Sequence, residues 1–328
     1  ERGFYGRSYR VKEDICGDDL GHRIDKTLEH EVDVLEHQFQ RNGVRTMVGF
    51  ARFIDPHHIV VTAPDESELI IHGERFVIAV GTQPFRPDYI PFDDKQIIDS
   101  DTLIEEPCVP RSIAVIGAGV IGIEYATIFS ALDVSVTLIE PRDSFLDFID
   151  REIIEEFVHQ LRDRGVTFRL GSPVVNVEKD SSGRVVTTLQ DGRVVRSEML
   201  LFAAGRVGST ASLGLETAGL SVDGRGRLTV DPKTFQTEVP HIYAAGDVIG
   251  FPSLASTSME QGRIAACHAF EQPLPPAPAY FPYGIYAVPE ISTVGMSEQE
   301  VRDKKIPYEC GIARFRETSI SSGTELPS

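Results

Sequence analysis

The chain has 328 residues, 41% of them hydrophobic and 25% charged, the make-up of an ordinary soluble globular protein of two or three domains. Fifty acidic residues against 32 basic ones leave a net charge of −18. Such acidity argues against non-specific binding to nucleic acid or to an anionic membrane.

Residues 1–20 are polar and Gly-rich, and no charged-then-apolar leader opens the chain, so no signal peptide is expected. Residues 24–41 predict an amphipathic helix, with Leu28, Val32, Leu35 and Phe39 on one face and Gly43 as its stop. Residues 45–54 and 59–62 alternate as strands, joined at Asp55-Pro56. The pair His57-His58 follows that turn and reads as solvated surface rather than a metal site. Residues 68–72 form a short strand, and residues 76–80 an apolar one that runs into Gly81-Thr82-Gln83-Pro84. Residues 84–111 are rich in Pro and Asp and read as a linker or domain crossing.

Residues 112–142 carry the strongest signal. An apolar, β-branched strand over 112–116 leads into Gly117, Gly119 and Gly122 at G-x-G-x-x-G spacing, and a helix continues from Val120 to about Ala131. Gly117 serves the tight turn, Gly119 the approach of a pyrophosphate, and Gly122 the contact of helix with sheet. The N–H groups of the first helical turn, at Val120 and Ile121, then face the phosphates with the positive end of the helix dipole. A second strand over 134–139 ends in Glu140, placed to bind ribose hydroxyls. The residues therefore predict a dinucleotide site. A membrane helix over 112–129 is the alternative, and three glycines and Glu124 inside it argue against that.

A helix is expected over 151–164, with Ile153, Ile154, Phe157, Val158 and Leu161 inward. Residues 174–177, 185–189 and 194–197 read as an antiparallel meander with Asp191-Gly192 at one turn, and residues 199–202 as a buried strand before Gly205. Residues 228–230 are extended, and residues 237–247 read as strand, turn and acid. A helix over 256–271 has Ser256 or Ser258 as its cap. A Pro-rich connector covers 273–282, and residues 289–328 show strand and helix signals before a polar tail. The four cysteines, Cys16, Cys108, Cys267 and Cys310, form no C-x-x-C pair; they read as buried free thiols in a reducing, cytoplasmic setting. No zinc spacing and no catalytic triad occurs.

Four stretches together resemble the pyridine nucleotide-disulfide oxidoreductases, flavoproteins with two dinucleotide-binding domains. They are residues 80–84, the Gly117 motif with Glu124, residues 204–207, and residues 237–247. Residues 246–256 and 283–292 are most similar to the members that pass hydride between NADPH and NAD⁺ through FAD. The resemblance implies an α/β fold: a Rossmann-like three-layer NAD(P)-binding domain inserted in a partial FAD-binding domain. Its divisions are residues 1–110 (partial FAD-binding), 111–235 (NAD(P)-binding), 236–275 (FAD-binding return) and 276–328 (the start of an interface domain). No glycine motif for FAD precedes Gly117, and most of the family's interface domain lies beyond Ser328, so the chain is expected to be an internal portion of a polypeptide that self-associates at full length.

The resemblance also implies roles. Glu124 faces the nicotinamide amide. Glu140 and Arg142 bear on NAD against NADP: the acid repels a 2′-phosphate and the guanidinium pairs with one. Asp247 binds the flavin ribityl chain, and Leu254, Ala255 and the following helix start lie by the flavin ring. Gly81 and Gly205 bring backbone close to a cofactor. No protein residue is assigned as catalytic and none as a metal ligand, because the cofactors carry the chemistry. A related FAD disulfide reductase such as dihydrolipoamide dehydrogenase, and a non-catalytic dinucleotide-binding protein, are the competing expectations.

Overall fold

The computed structural model describes residues 16–105, 108–273 and 280–313. The Gly-rich opening as far as residue 15, residues 274–279 of the Pro-rich connector and the tail from residue 314 lie outside the described residues.

Helix α1 (Gly17–Arg41) is followed by an antiparallel sheet of β1 (Phe50–Asp55), β2 (His58–Thr62) and β3 (Glu68–His72), then by β4 (Phe76–Ile78) and β5 (Thr82–Pro84). The helix begins seven residues earlier than its apolar spacing predicts. Asp19 accepts the Cys16 backbone N–H at 3.1 Å, which caps a turn that carries no apolar signal. The predicted apolar face is present but is not buried. Leu28 and Val32 are each 52% exposed, and among the described residues no side chain of α1 is buried. Residues 45–49 and 79–80 do not join β1 and β4 as expected. His57 is exposed but not simply solvated, since its ring stacks on that of His241 with centroids 4.0 Å apart.

Residues 84–111 are more than a linker. They contribute β6 (Ile97–Asp99) and α2 (Ser100–Glu105). Ile97 and Ile98 are only 1% and 2% exposed because β6 forms the edge of the main sheet, in parallel register with Leu200 and Leu201. A run of two apolar residues between Gln96 and Asp99 is too short to register as periodicity.

That sheet has five parallel strands in the order β6, β13 (Met199–Phe202), β7 (Ser112–Ile116), β8 (Ser135–Ile139) and β9 (Thr167–Arg169). Helices α3 (Val120–Ala131) and α4 (Arg151–Asp163) cover one face, with Ile113, Val115, Ile123, Leu138, Leu161 and Leu201 between the layers. The meander β10 (Val174–Lys179), β11 (Val185–Leu189) and β12 (Val194–Ser197) covers the other face through Val177, Val185 and Leu189. Both faces are buried, which is why β7 from Ile113 onward and the whole of β13 are apolar rather than alternating. In α4, Phe157 and Leu161 are buried as predicted, while Ile153 is 50% exposed because it lies at the edge of the apolar arc in the first turn.

The chain leaves the smaller unit through β5 and returns through β14 (Arg206–Gly208), and these two strands pair antiparallel. β15 (Ile242–Ala244) then pairs parallel with β4 around Phe53, Ile78, Leu215, Ile242 and Val248. Residues 228–230 make one isolated bridge, Val222 to Leu228, rather than a strand. Helix α5 (Ala255–Ala269) starts with Leu254 as its N-cap and has no side-chain cap. The predicted cap serines lie inside it, and Ser258 Oγ instead donates to Leu254 O at 2.9 Å. A hairpin of β16 (Tyr283–Ile285) and β17 (Ile291–Thr293), with Ile285 and Ala287 each 1% exposed, packs onto the α3–α4 core, and α6 (Glu298–Asp303) follows.

Candidate functional site

The glycine turn sits where the sheet reverses its strand order, between the carboxyl ends of β7 and β13, the crevice that ligands use in open α/β sheets. Gly117 has φ +103°, and a Cβ there would lie 2.6 Å from Ala203 O. A Cβ on Gly122 would lie 1.9 Å from Gly117 O, so helix and turn touch through that residue. At Gly119 a Cβ would meet no atom within 4 Å. Two of the glycines are therefore demanded by the protein itself, and the middle one is not.

Gly119 is the N-cap of α3 and offers no side-chain acceptor, so no side chain caps the first-turn N–H groups at Val120 and Ile121. Both residues are half-buried. A phosphate satisfies such donors, and the bare backbone at Gly119 is shaped for one; on these two observations the residues fit a dinucleotide.

Glu140 lies at the end of β8 and is 4% exposed. One of its oxygens accepts the Ala118 N–H at 2.8 Å; the other accepts Arg142 Nε at 2.7 Å and Arg142 N–H at 3.2 Å. Burial alone would raise its pKa, but these hydrogen bonds outweigh burial and hold the carboxyl below its ordinary value. Arg142 is largely exposed, with Asp147 4.0 Å from Nη1. The acid and the cation thus stand together at the tip of the second strand, already paired with each other.

Glu124, in the first turns of α3, is half-buried. Its Oε1 accepts the Tyr286 N–H at 2.8 Å, a bond across 162 residues of sequence. Burial raises its pKa, and the Tyr286 bond only partly opposes that. Thr127, one turn on, accepts the Val288 N–H at 3.0 Å.

On the other side, β15 leads into Gly246 and Asp247. Gln261 of α5 is 3% exposed and accepts the Gly246 N–H at 2.7 Å, which fixes the turn. The Asp247 carboxylate takes no hydrogen bond among the described residues. An acid held at a strand end with its oxygens unengaged fits a hydroxyl-rich ligand such as a ribityl chain. Leu254 is half-buried and Ala255 exposed at the uncapped start of α5. Gly81 (φ +66°) and Gly205 (φ +124°) stand where the two crossing strands begin, and a Cβ at either would meet nothing within 4 Å. Arg206, next to Gly205, donates to Thr82 Oγ1, to Thr82 O and to Asp101 at 2.7–2.8 Å, and so ties the crossing to α2.

Sequence reasoning missed Gln261, Arg206, Tyr286 and Thr127. Four of their bonds join a side chain to a backbone N–H or carbonyl of a distant segment, which leaves no mark in local spacing. Among the described residues no group of His, Cys, Asp or Glu is arranged to hold a metal ion, and no helix is long and apolar enough to cross a membrane.

The family profile described as pyridine nucleotide-disulphide oxidoreductase matches residues 12–262. A relative named soluble pyridine nucleotide transhydrogenase, from Mycobacterium tuberculosis (strain ATCC 25177 / H37Ra), is 49% identical over 318 residues, covering 97% of this chain and 68% of the relative. One of the same name from Colwellia psychrerythraea is 42% identical over 313 residues, covering 95% and 66%. Among solved structures, LpdA from Mycobacterium tuberculosis superposes with a TM-score of 0.83 at 26% identity, covering 89% of this chain and 65% of that one. The flavoprotein disulfide reductase RclA from Escherichia coli gives 0.73 at 28% identity, covering 87% and 68%. The chain spans about two thirds of the length of these relatives.

Proposed function

We propose, from the premise that this chain belongs to the pyridine nucleotide-disulphide oxidoreductase family, that it is the nucleotide-binding part of a Si-specific NAD(P)⁺ transhydrogenase, a flavoprotein passing hydride between NADPH and NAD⁺. The observation that carries this reading is the Glu140–Arg142 pair beside an unobstructed Gly119. A site built for one nucleotide needs only the acid or only the cation at the second strand tip; a site that takes NADPH and NAD⁺ in turn needs both. FAD, when bound, supplies the relay that accepts hydride from one nicotinamide and returns it to the other.

The residues divide the remaining work. Gly117, Gly119, Val120, Ile121 and Gly122 bind the pyrophosphate, Glu140 the ribose, and Arg142 the 2′-phosphate where there is one. Glu124 orients the carboxamide. Asp247 binds the ribityl chain, the start of α5 at Leu254 and Ala255 lies against the flavin ring, and Gly81 and Gly205 keep the backbone low where the cofactors approach. We divide the chain accordingly, with 1–110 and 236–275 on the flavin, 111–235 on the nicotinamide nucleotide, and 276–328 opening an interface domain through which the cytoplasmic, full-length protein self-associates. The test is the purified full-length protein, which should be yellow and reduce thio-NAD⁺ with NADPH without added thiol; a strict requirement for lipoamide refutes the reading.

A further inference from the structure

Six residues, Tyr283 to Val288, touch both halves of the proposed active site. At their start the Tyr283 ring stacks on Phe251, centroids 5.7 Å apart and planes 19° apart, and meets the edge of Phe148 at 5.0 Å. Phe251 lies four residues beyond Asp247, and Phe148 in the loop between β8 and α4. The three rings therefore join the flavin-side turn, the nucleotide domain and β16. At the other end the Tyr286 N–H donates to Glu124 and the Val288 N–H to Thr127, both on α3, and Arg164 Nη1 donates to Val288 O at 2.9 Å. Ile285 and Ala287 anchor the stretch in the α3–α4 core. Phe251 is 69% exposed, so the ring contacts with Tyr283 and Phe148 restrain an otherwise open turn.

We infer that Tyr283 is a positioning residue: its ring couples the Asp247 turn to helix α3 and so sets the spacing between the flavin side and the nicotinamide side. The inference rests on the transhydrogenase reading above. Hydride transfer falls steeply when the reacting rings are displaced by an ångström or less, so a residue that binds neither cofactor can still govern the rate. Burial, together with the charges of Glu124 and Asp247, raises the Tyr283 phenol, which keeps it neutral. What it contributes is therefore shape and stacking rather than charge.

The test uses the full-length, flavin-loaded protein and the variants Y283L, Y283F and F251L. Y283L should keep its flavin and bind NADPH within about threefold of the parent, while bleaching of the flavin by saturating NADPH in single turnover slows roughly tenfold or more and the visible circular dichroism of the bound flavin changes. F251L cuts the same stack from its exposed side and should behave alike. Y283F keeps the ring and should recover most of both signals. A Y283L protein that bleaches at the parental rate with an unaltered flavin dichroism overturns the inference alone. So does a Y283F protein as slow as Y283L, which would assign the effect to the hydroxyl. Parental protein whose flavin is not bleached by NADPH overturns the transhydrogenase reading and this inference with it.

Discussion

The Glu140 carboxylate accepts the backbone N–H of Ala118 at 2.8 Å, across 22 residues of sequence. The acid at the tip of the second strand thereby holds the glycine turn at the tip of the first. Glu140→Ala leaves a buried N–H without a partner and should cost about 1–3 kcal/mol of stability. The same change removes the ribose acceptor, so NAD⁺ should weaken more than NADP⁺. Thermal unfolding and parallel titrations of the two nucleotides check both parts; equal losses would remove Glu140 from the ribose.

Arg142 donates to that carboxylate from a largely exposed side chain, but the Glu140 side chain is only 5% exposed, so losing this charged hydrogen bond should cost about 1.5–3 kcal/mol. The guanidinium also serves recognition. Arg142→Leu should lower the unfolding temperature and weaken NADP⁺ roughly tenfold or more, in line with the loss of one charge-assisted hydrogen bond of about 1.5–3 kcal/mol. NAD⁺ affinity measured in the same titration should barely move.

The glycines should separate folding from binding. Gly122→Ala places a methyl 1.9 Å from Gly117 O, and the close contact of helix and turn must open. A large loss of soluble, folded protein is expected. Gly119→Ala meets no protein atom and has an ordinary φ of −71°, so it should fold with parental stability. It should nevertheless lose nucleotide affinity, because the methyl occupies the side from which the pyrophosphate approaches. Circular dichroism with nucleotide titration distinguishes the two outcomes.

Glu124 and Glu140 should respond to pH in opposite directions. Burial raises Glu124 above its ordinary 4.5, so its contribution to stability is present below that value and is lost as pH rises through the higher folded one. Glu140 is held low by Arg142 and Ala118 against burial, so its contribution is present above the ordinary value and is lost as acid protonates it. Glu124→Gln keeps an acceptor for the Tyr286 N–H and removes the buried charge. Its melting temperature should exceed the parent's at neutral pH and converge on it below about pH 4.5. A constant difference at every pH would show that the charge is not what matters.

Asp247→Ala should loosen FAD in the full-length protein, visible as flavin lost on dialysis. The change is expected to leave folding intact, since the Asp247 carboxylate makes no hydrogen bond among the described residues and the turn is held by Gln261 through Gly246.

Sequence alone determined the strand, glycine turn and helix at 112–131, the acid at Glu140 and the meander behind them. Those elements depend on interactions between residues a few positions apart: β-branched runs, the lack of a Cβ, a turn residue between strands. The same reasoning led astray at α1, whose apolar stripe is exposed, and at 84–111, where two isoleucines become an edge strand only because β13 lies alongside. Only the tertiary structure decided that Glu140 braces Ala118, that Glu124 grips Tyr286, that Gln261 sets the Gly246 turn, and that Tyr283 joins Phe251 to Phe148. Each of these pairs is far apart in the chain, and most involve a backbone N–H, which every residue but proline carries. A group that nearly all residues possess leaves no trace in composition or spacing, so its partner is known only once the chain has folded.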